Sequence, residues 1–321
     1  MKKLISLLLT LALLCLVPLS LASCGDDRPL VGIIQFGTHG SLNNCYDGII
    51  AGLADAGITE DNYRIEHLNS NFSAETSLAQ AQKLVNSGAA VIIAIATPSA
   101  IQAATAATGK NIPVVYCAVT DATTVGGFEN MTGTSDIPDF GAQLSLVTSF
   151  MGRSDLKIGV LMSTEESSDA AQITALRAAA ASYSGMEILT ETVADINTLD
   201  AKTDALIAAG ADCFVNLLDN TIVGKLQNIL TKTNAAGIPV FGSEIEQVKD
   251  GCLAAASIDY ITVGRLSGAQ AAELLGGKKV SEVAKKTMEN ETFPCYNSTV
   301  FASFSGLTLP EIDGLRDVAA N

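Results

Sequence analysis

Short runs of continuous apolar residues alternate along the chain with longer stretches in which apolar residues recur every three or four positions. Residues 30–36, 63–68, 90–96 and 112–119 read as strands. Between them, residues 42–57 put Ile49, Ile50 and Leu53 on one helical face and stop at Gly57. A second helix opens at Ser73, carries Glu75 and Thr76 in its first turn and runs to Gly88. Pro98 suits the first turn of a third, because proline lacks the N–H that would be unpaired there. The pattern then begins again. Helices are expected at 140–151, 168–184, 199–209 and 222–236, with strands at 157–162, 187–193, 213–218 and 238–241. Strands that are apolar on both faces and alternate with helices signify parallel sheets with right-handed crossovers. The expected fold class is α/β, as two doubly wound Rossmann-like lobes joined by a multi-strand hinge.

The halves also resemble each other. Val31-Gly32-Ile33-Ile34 recurs as Ile158-Gly159-Val160-Leu161, and Asn111-Ile112-Pro113-Val114 as Gly237-Ile238-Pro239-Val240. Two similar lobes imply a cleft between them. Lobe 1 is assigned residues 30–120 plus about 259–290, and lobe 2 about 137–258 plus about 300–321. Hinge segments are expected near 121–136, 252–259 and 291–300. No Gly/Ser-rich or Pro-rich linker separates the lobes, which fits several short hinges rather than one tether.

Composition narrows the function. The chain is 48% hydrophobic with few aromatics, and its formal charge is −15. So acidic a surface argues against nucleic acid, whose affinity rests on Lys and Arg neutralising phosphate. Lys2 and Lys3 precede an apolar run of signal-peptide length, and Leu21-Ala22-Ser23-Cys24 follows. Residues 1–23 are therefore expected to be a lipoprotein signal peptide. Cys24 is the expected lipidation site, and residues 24–29 a polar tether. The protein is expected to be exported and to face outward from the membrane that holds it. Of the other cysteines, Cys45, Cys117, Cys213, Cys252 and Cys295 remain after the signal; they are odd in number, contain no C-x-x-C and imply no disulfide framework. No His/Cys cluster has metal-ligand spacing, so neither a metal nor a cofactor is expected.

In open parallel sheets, ligands bind beyond the carboxyl ends of the strands. That rule selects Gln35, His39, Thr97, Pro98, Ser99, Thr120 and Asp121 from the first half. From the second it selects Thr164, Glu165, Asp219, Asn220 and Glu244. The helix start at Pro98 offers backbone N–H groups and a positive dipole end for a carboxylate, with the hydroxyls of Thr97 and Ser99 beside it. Asp219, helped by Glu165 or Glu244, is a candidate for an ammonium group. Carboxylate at one end and ammonium at the other describe an α-amino acid. Thr97, Ser99, Asp219 and Asn220 are equally the residue types that cap helices. Phe36, Tyr116 and Tyr296 are candidates for an aromatic wall and equally for core or hinge.

Taken in order, Gly32-Ile33-Ile34-Gln35, His39 with Leu42, Ala96-Thr97-Pro98, Ala118-Val119-Thr120-Asp121, Asn130 to Asp136, Leu218-Asp219-Asn220 and Gly251 to Tyr260 carry a family likeness. The chain resembles the ABC transporter substrate-binding family that includes tryptophan- and tyrosine-binding lipoproteins, which has the type I periplasmic-binding-protein fold. It departs from that pattern at Ala122, where the family usually has proline. The resemblance implies a monomer that captures an amino acid, often an aromatic one, by lobe closure. Its partners would be the small ligand, an ABC permease and an ATPase, and the membrane through the lipid anchor.

Two rival readings stand beside this one. Catalysis would need a nucleophile or metal motif, yet G-x-S-x-G is absent and the two histidines, His39 and His67, have no such partner. No enzyme is expected, a hydrolase being the less favoured alternative. A surface sensor or receptor with the same fold and no transport role is the stronger one.

Overall fold

The computed structural model describes residues 26–288 and 291–319. Cys24 and the apolar segment before it lie outside the described residues. The first half runs β1 (Leu30–Gln35), α1 (Gly40–Asp55), β2 (Arg64–Asn69), α2 (Ala74–Asn86), β3 (Val91–Ile95), α3 (Thr97–Ala107), β4 (Val114–Cys117) and β5 (Met131–Ser135). The second half runs α4 (Phe140–Met151), β6 (Lys157–Ser163), α5 (Asp169–Ala180), β7 (Glu187–Val193), α6 (Leu199–Ala208), β8 (Cys213–Val215), α7 (Asn220–Val223), α8 (Leu226–Ala235), β9 (Val240–Phe241), α9 (Ile245–Lys249) and β10 (Ala254–Ser257). The chain ends with α10 (Tyr260–Leu275), β11 (Lys286–Thr287), β12 (Phe293–Tyr296), α11 (Ser298–Ser303) and β13 (Arg316–Asp317).

Lobe 1 is built on a six-stranded sheet of order β11-β5-β4-β3-β1-β2, parallel throughout. Lobe 2 carries a four-stranded parallel sheet of order β7-β6-β8-β9. A small sheet of order β10-β12-β13 adjoins it through the Leu253 N–H bonded to the Val240 carbonyl. Both faces of each main sheet are covered. In lobe 1, Val31 and Ile33 meet α1 and α10, while Ile34, Ile92 and Ala94 meet α2 and α3. In lobe 2, Ile158 and Val160 pack with α4 and α5, and Leu161 and Phe214 with α6 and α8. The α/β class and the two lobes agree with the alternation in the sequence.

The C-terminal returns complete lobe 1. Helix α10 lies on α1 at backbone contact, because each supplies two glycines to the seam. A Cβ on Gly264 would overlap the Cys45 carbonyl oxygen, and one on Gly48 the Ile261 carbonyl oxygen. Gly52 and Gly268 repeat the pattern one turn on, facing Arg265 and Ile49. Cys45, Cys117, Cys213, Cys252 and Cys295 are all buried and unpaired.

Segment 121–136, expected as a hinge, instead holds a 3-10 turn at Ala122–Val125 and then β5, which pairs with β4 inside the lobe 1 sheet. Its small polar residues are satisfied from far along the chain: the Thr132 hydroxyl donates to the Val283 carbonyl and the Thr134 hydroxyl to Gln270. The chain passes to lobe 2 after Asp136. Residues 222–236 are likewise not one helix; α7 stops at Gly224 and α8 begins at Leu226.

Candidate functional site

In each main sheet the strand order reverses beside the first strand, between β1 and β3 in lobe 1 and between β6 and β8 in lobe 2. A crevice opens beyond the carboxyl ends at such a reversal. The two crevices face each other. Leu218 of lobe 2 packs into the lobe 1 core with Leu42, Ala118 and Tyr260. His39 Nε2 lies 3.0 Å from Asn220 Oδ1, and Asn44 donates across to Glu246 at 3.0 Å.

Of the strand-end residues selected from the sequence, His39, Thr120, Asp219, Asn220 and Glu244 line this cleft, and the others lie elsewhere. Asp219 is fully buried and caps α7: Oδ1 accepts from the N–H groups of Thr221 (2.9 Å) and Ile222 (3.0 Å), and from the Ser163 hydroxyl at 3.1 Å. Its Oδ2 accepts from the Ser163 N–H at 2.6 Å. Glu244 caps α9 through the N–H groups of Glu246 and Gln247 and also lines the cleft. Asp121 caps the 3-10 turn that follows it. Ser99 turns its hydroxyl to Ser77, Thr97 accepts from the Thr120 N–H, and Pro98 is buried in the first turn of α3. Gln35 is committed within lobe 1, to the Gly37 carbonyl, Asn43 and His67. Thr164 and Glu165 are exposed, and Glu165 lines a separate cavity of ≈ 740 Å³ at the outer edge of the lobe interface. Phe36 and Tyr116 are core residues and Tyr296 packs on Phe150, so none of the three forms a cleft wall.

The cleft has an inner pocket with a residual void of only ≈ 20 Å³, walled by His39, Ser41, Thr120, Asp136, Asn220, Glu244 and Tyr260 among others. Asp136, which strand-end reasoning passed over because its segment read as hinge, sits at its base. It accepts from the Thr120 hydroxyl at 3.0 Å and the Tyr260 hydroxyl at 2.8 Å. Glu166 stands behind Asn220 and accepts from its Nδ2 at 2.8 Å. With its amide so oriented, Asn220 presents Oδ1 to His39, whose Nε2 must carry the proton. Burial lowers the His39 pKa, so the ring is neutral and Nδ1, buried and without a hydrogen-bond partner, is a bare acceptor. The Ser41 hydroxyl is also buried; it faces Glu244 without forming a hydrogen bond of good geometry.

No Lys or Arg lines this pocket. Burial therefore acts on its acids unopposed by a cation. Glu166 is pushed up to about 8 by burial and then by the charge of Asp219, and Glu244 to about 7 by burial. Asp136 is also raised by burial, against the bonds from Tyr260 and Thr120. Asp169, beside Asp219, is pushed up to about 11, chiefly by burial. Among the described residues no cluster of His, Cys, Asp and Glu is arranged to hold a metal ion. What the arrangement can do is accept hydrogen bonds from a donor-rich, positively charged group.

Residues 30–311 match the family described as ABC transporter substrate binding protein. The chain belongs to that family. It is 32% identical over 267 residues to the tyrosine-binding protein of Clostridioides difficile, covering 81% of this chain and 76% of the relative. Among solved structures it is similar to a Streptococcus pneumoniae ABC domain in complex with L-Trp, with a TM-score of 0.84 at 25% identity over 90% of this chain and 100% of that one. It also matches a ligand-free, open substrate-binding protein with adhesive properties from Clostridium difficile, with a TM-score of 0.66 at 25% identity over 90% of this chain and 99% of that one. The fold is that of type I periplasmic binding proteins, and family and fold are those of solute-binding proteins. No helix among the described residues is long and apolar enough to cross a membrane.

In this substrate-binding protein the oxygens of Asp219 are already occupied by four protein donors. Asp219→Ala is expected to lower stability by about 2–4 kcal/mol, through the lost cap and the buried donors left unpaired. Urea unfolding measures this, and a variant as stable as the wild type would show that the cap carries no weight.

Proposed function

We propose that the protein is an extracytoplasmic lipoprotein, anchored at Cys24, that captures an α-amino acid between its lobes for an ABC permease and ATPase. The observation that carries this reading is the inner pocket: buried carboxylates with no facing cation, walled by residues of both lobes. The ligand ammonium lies against Asp136 and Glu244, with Nδ1 of His39 as a further acceptor. The start of α1 has no side-chain cap, but the Glu246 side chain packs on Gly40 there, so its first N–H groups can take the ligand carboxylate only once the lobes have parted. The Ser41 hydroxyl, in the first turn of that helix, stands beside Glu244 and adds a donor to whichever carboxylate meets it. This position is preferred to the start of α3, where the hydroxyls of Thr97 and Ser99 are engaged within lobe 1.

The void inside the pocket, ≈ 20 Å³, has room for about one water and none for an amino acid, so the lobes must part to admit a ligand. Capture is hinge closure, stabilised by contacts that exist only when both lobes touch the ligand. At equal identity the chain fits the L-Trp complex better than the open, ligand-free relative, which supports a closed arrangement here. The relatives named for tyrosine and tryptophan support an aromatic side chain.

Thermal-shift screening of the mature protein against the standard amino acids, sugars and nucleosides tests the reading. An amino acid should raise Tm with concentration. Asp136→Asn should then weaken its binding by on the order of 100-fold in calorimetry, since one partner of a buried charge pair is neutralised. The reading falls if no amino acid shifts Tm, and the ammonium site falls if the asparagine variant binds as the wild type does. A second reading, a surface receptor with the same cleft, draws support from the adhesive properties of one relative. Loss of amino-acid uptake on gene deletion would favour transport over it.

A further inference from the structure

Two spaces lie between the lobes, the inner pocket and the outer cavity of ≈ 740 Å³. The ring of Phe72 stands where they would join. It lines the outer cavity on one side and lies parallel to the His39 ring on the other, with centroids 6.4 Å apart and planes at 8°. Phe72 reaches this place through a costly backbone. Asn71 and Phe72 are consecutive non-glycine residues at positive φ, 49° and 61°, in the left-handed region that bulky side chains avoid. The turn is held by the Phe72 N–H donating to the Phe36 carbonyl at 2.7 Å, and the ring is propped edge-on by Phe36 at 87°.

Both lobes leave room for that ring. In lobe 1 a Cβ on Gly37 would overlap it, and in lobe 2 a Cβ on Gly224 would come within 3.0 Å of its tip. Backbone strain persists only where the surroundings over-determine it, and it gathers at ligand clamps and switches. The strain here aims one apolar ring across the lobe interface.

We propose that Phe72 is the gate of the binding site: its ring closes the inner pocket from the outer cavity and limits the size of ligand side chain that the closed lobes accept. The size limit rests on the amino-acid reading; the closure does not. Removing the ring joins the two spaces, exposes His39 and lets larger side chains extend into the outer cavity.

The chain has two histidines, which gives a ligand-independent readout. In ligand-free protein, His39 has Nδ1 buried and Nε2 bonded to Asn220, whereas His67 is exposed. Diethylpyrocarbonate labelling with peptide mapping should therefore modify His67 readily and His39 slowly. Phe72→Ala should speed labelling of His39 by about tenfold or more while leaving His67 unchanged, as expected for local rather than global opening. Gly224→Val, which forces the ring aside without altering it, should do the same and guards against a folding defect in the first variant. An unchanged His39 rate in both folded variants overturns the gate. Calorimetry across amino acids of rising size reads the second half: Phe72→Ala should shift preference toward larger side chains and speed dissociation, and an unchanged rank order overturns the size limit. If the wild type binds no amino acid while His39 labelling still responds, the amino-acid reading fails and the gate stands.

Discussion

Gly264→Ala is expected to lower Tm by about 5 °C, corresponding to about 3 kcal/mol of overpacking in a chain of this size. The added methyl would fall on the Cys45 carbonyl oxygen, a backbone atom of α1 that cannot swing away as a side chain can. The helices would have to separate, opening the core that Ile49, Leu53, Val263 and Ala271 share. Gly276→Ala is the matched control. Gly276 closes the same helix at φ −74°, and its added methyl would meet only ordinary contacts at 3.4 Å. Scanning calorimetry of the two variants decides the matter. Equal Tm values would show that the glycine seam is not what holds α10 to lobe 1.

Ligand-free protein is expected to lose stability as pH rises from 5 to 9, by on the order of 5 kcal/mol. The sign follows from the buried acids. Glu166 at about 8 and Glu244 at about 7 lie above the ordinary glutamate value of 4.5, and Asp136 is raised as well. Their stabilising contribution is complete below the unfolded pKa and is lost as pH rises through the folded one. Asp169 keeps its proton across this window while the unfolded chain gives it up, so it adds to the loss. A bound ammonium reverses the balance, because it favours the ionised carboxylates. Affinity for an amino acid should therefore rise between pH 5.5 and 8, with protons released on binding. Calorimetry in buffers of different ionisation enthalpy counts those protons, and Glu166→Gln should reduce their number. A Tm that is flat or rises over this pH range would show that the cluster is not protonated as described.

The two lobes were legible because their strands are apolar on both faces; β3 and β4 are continuous apolar runs, and Ser73 capped its helix as its position predicted. Strand β5 was not. Met131-Thr132-Gly133-Thr134-Ser135 has no apolar run, yet every residue in it is buried. Its polar atoms are satisfied by Val283 and Gln270, about 140 residues away, and no local pattern encodes such partners. Asp136 follows directly from that strand and was lost with it. Asp219 was placed correctly at a strand end, but residue type alone does not separate a cap from a ligand contact. That distinction needs the positions of Ser163, Thr221 and Ile222. Glu166 differs from exposed Glu165 only by which side of one turn it occupies. Phe72 carried no signal, because the strain that aims it lies in φ rather than in composition.

Lobe 1 is discontinuous, and this constrains the order of assembly. As the chain emerges from its N-terminus, the segment up to Ser135 supplies five of the six strands but not the helix that seals one side. Ile49 and Leu53 lack their cover until Val263, Ala271 and Leu274 have been made. Lobe 2 is largely complete by then. The earlier-made half is thus the later to finish folding, and premature termination before residue 260 yields one nearly finished lobe joined to an unsealed one.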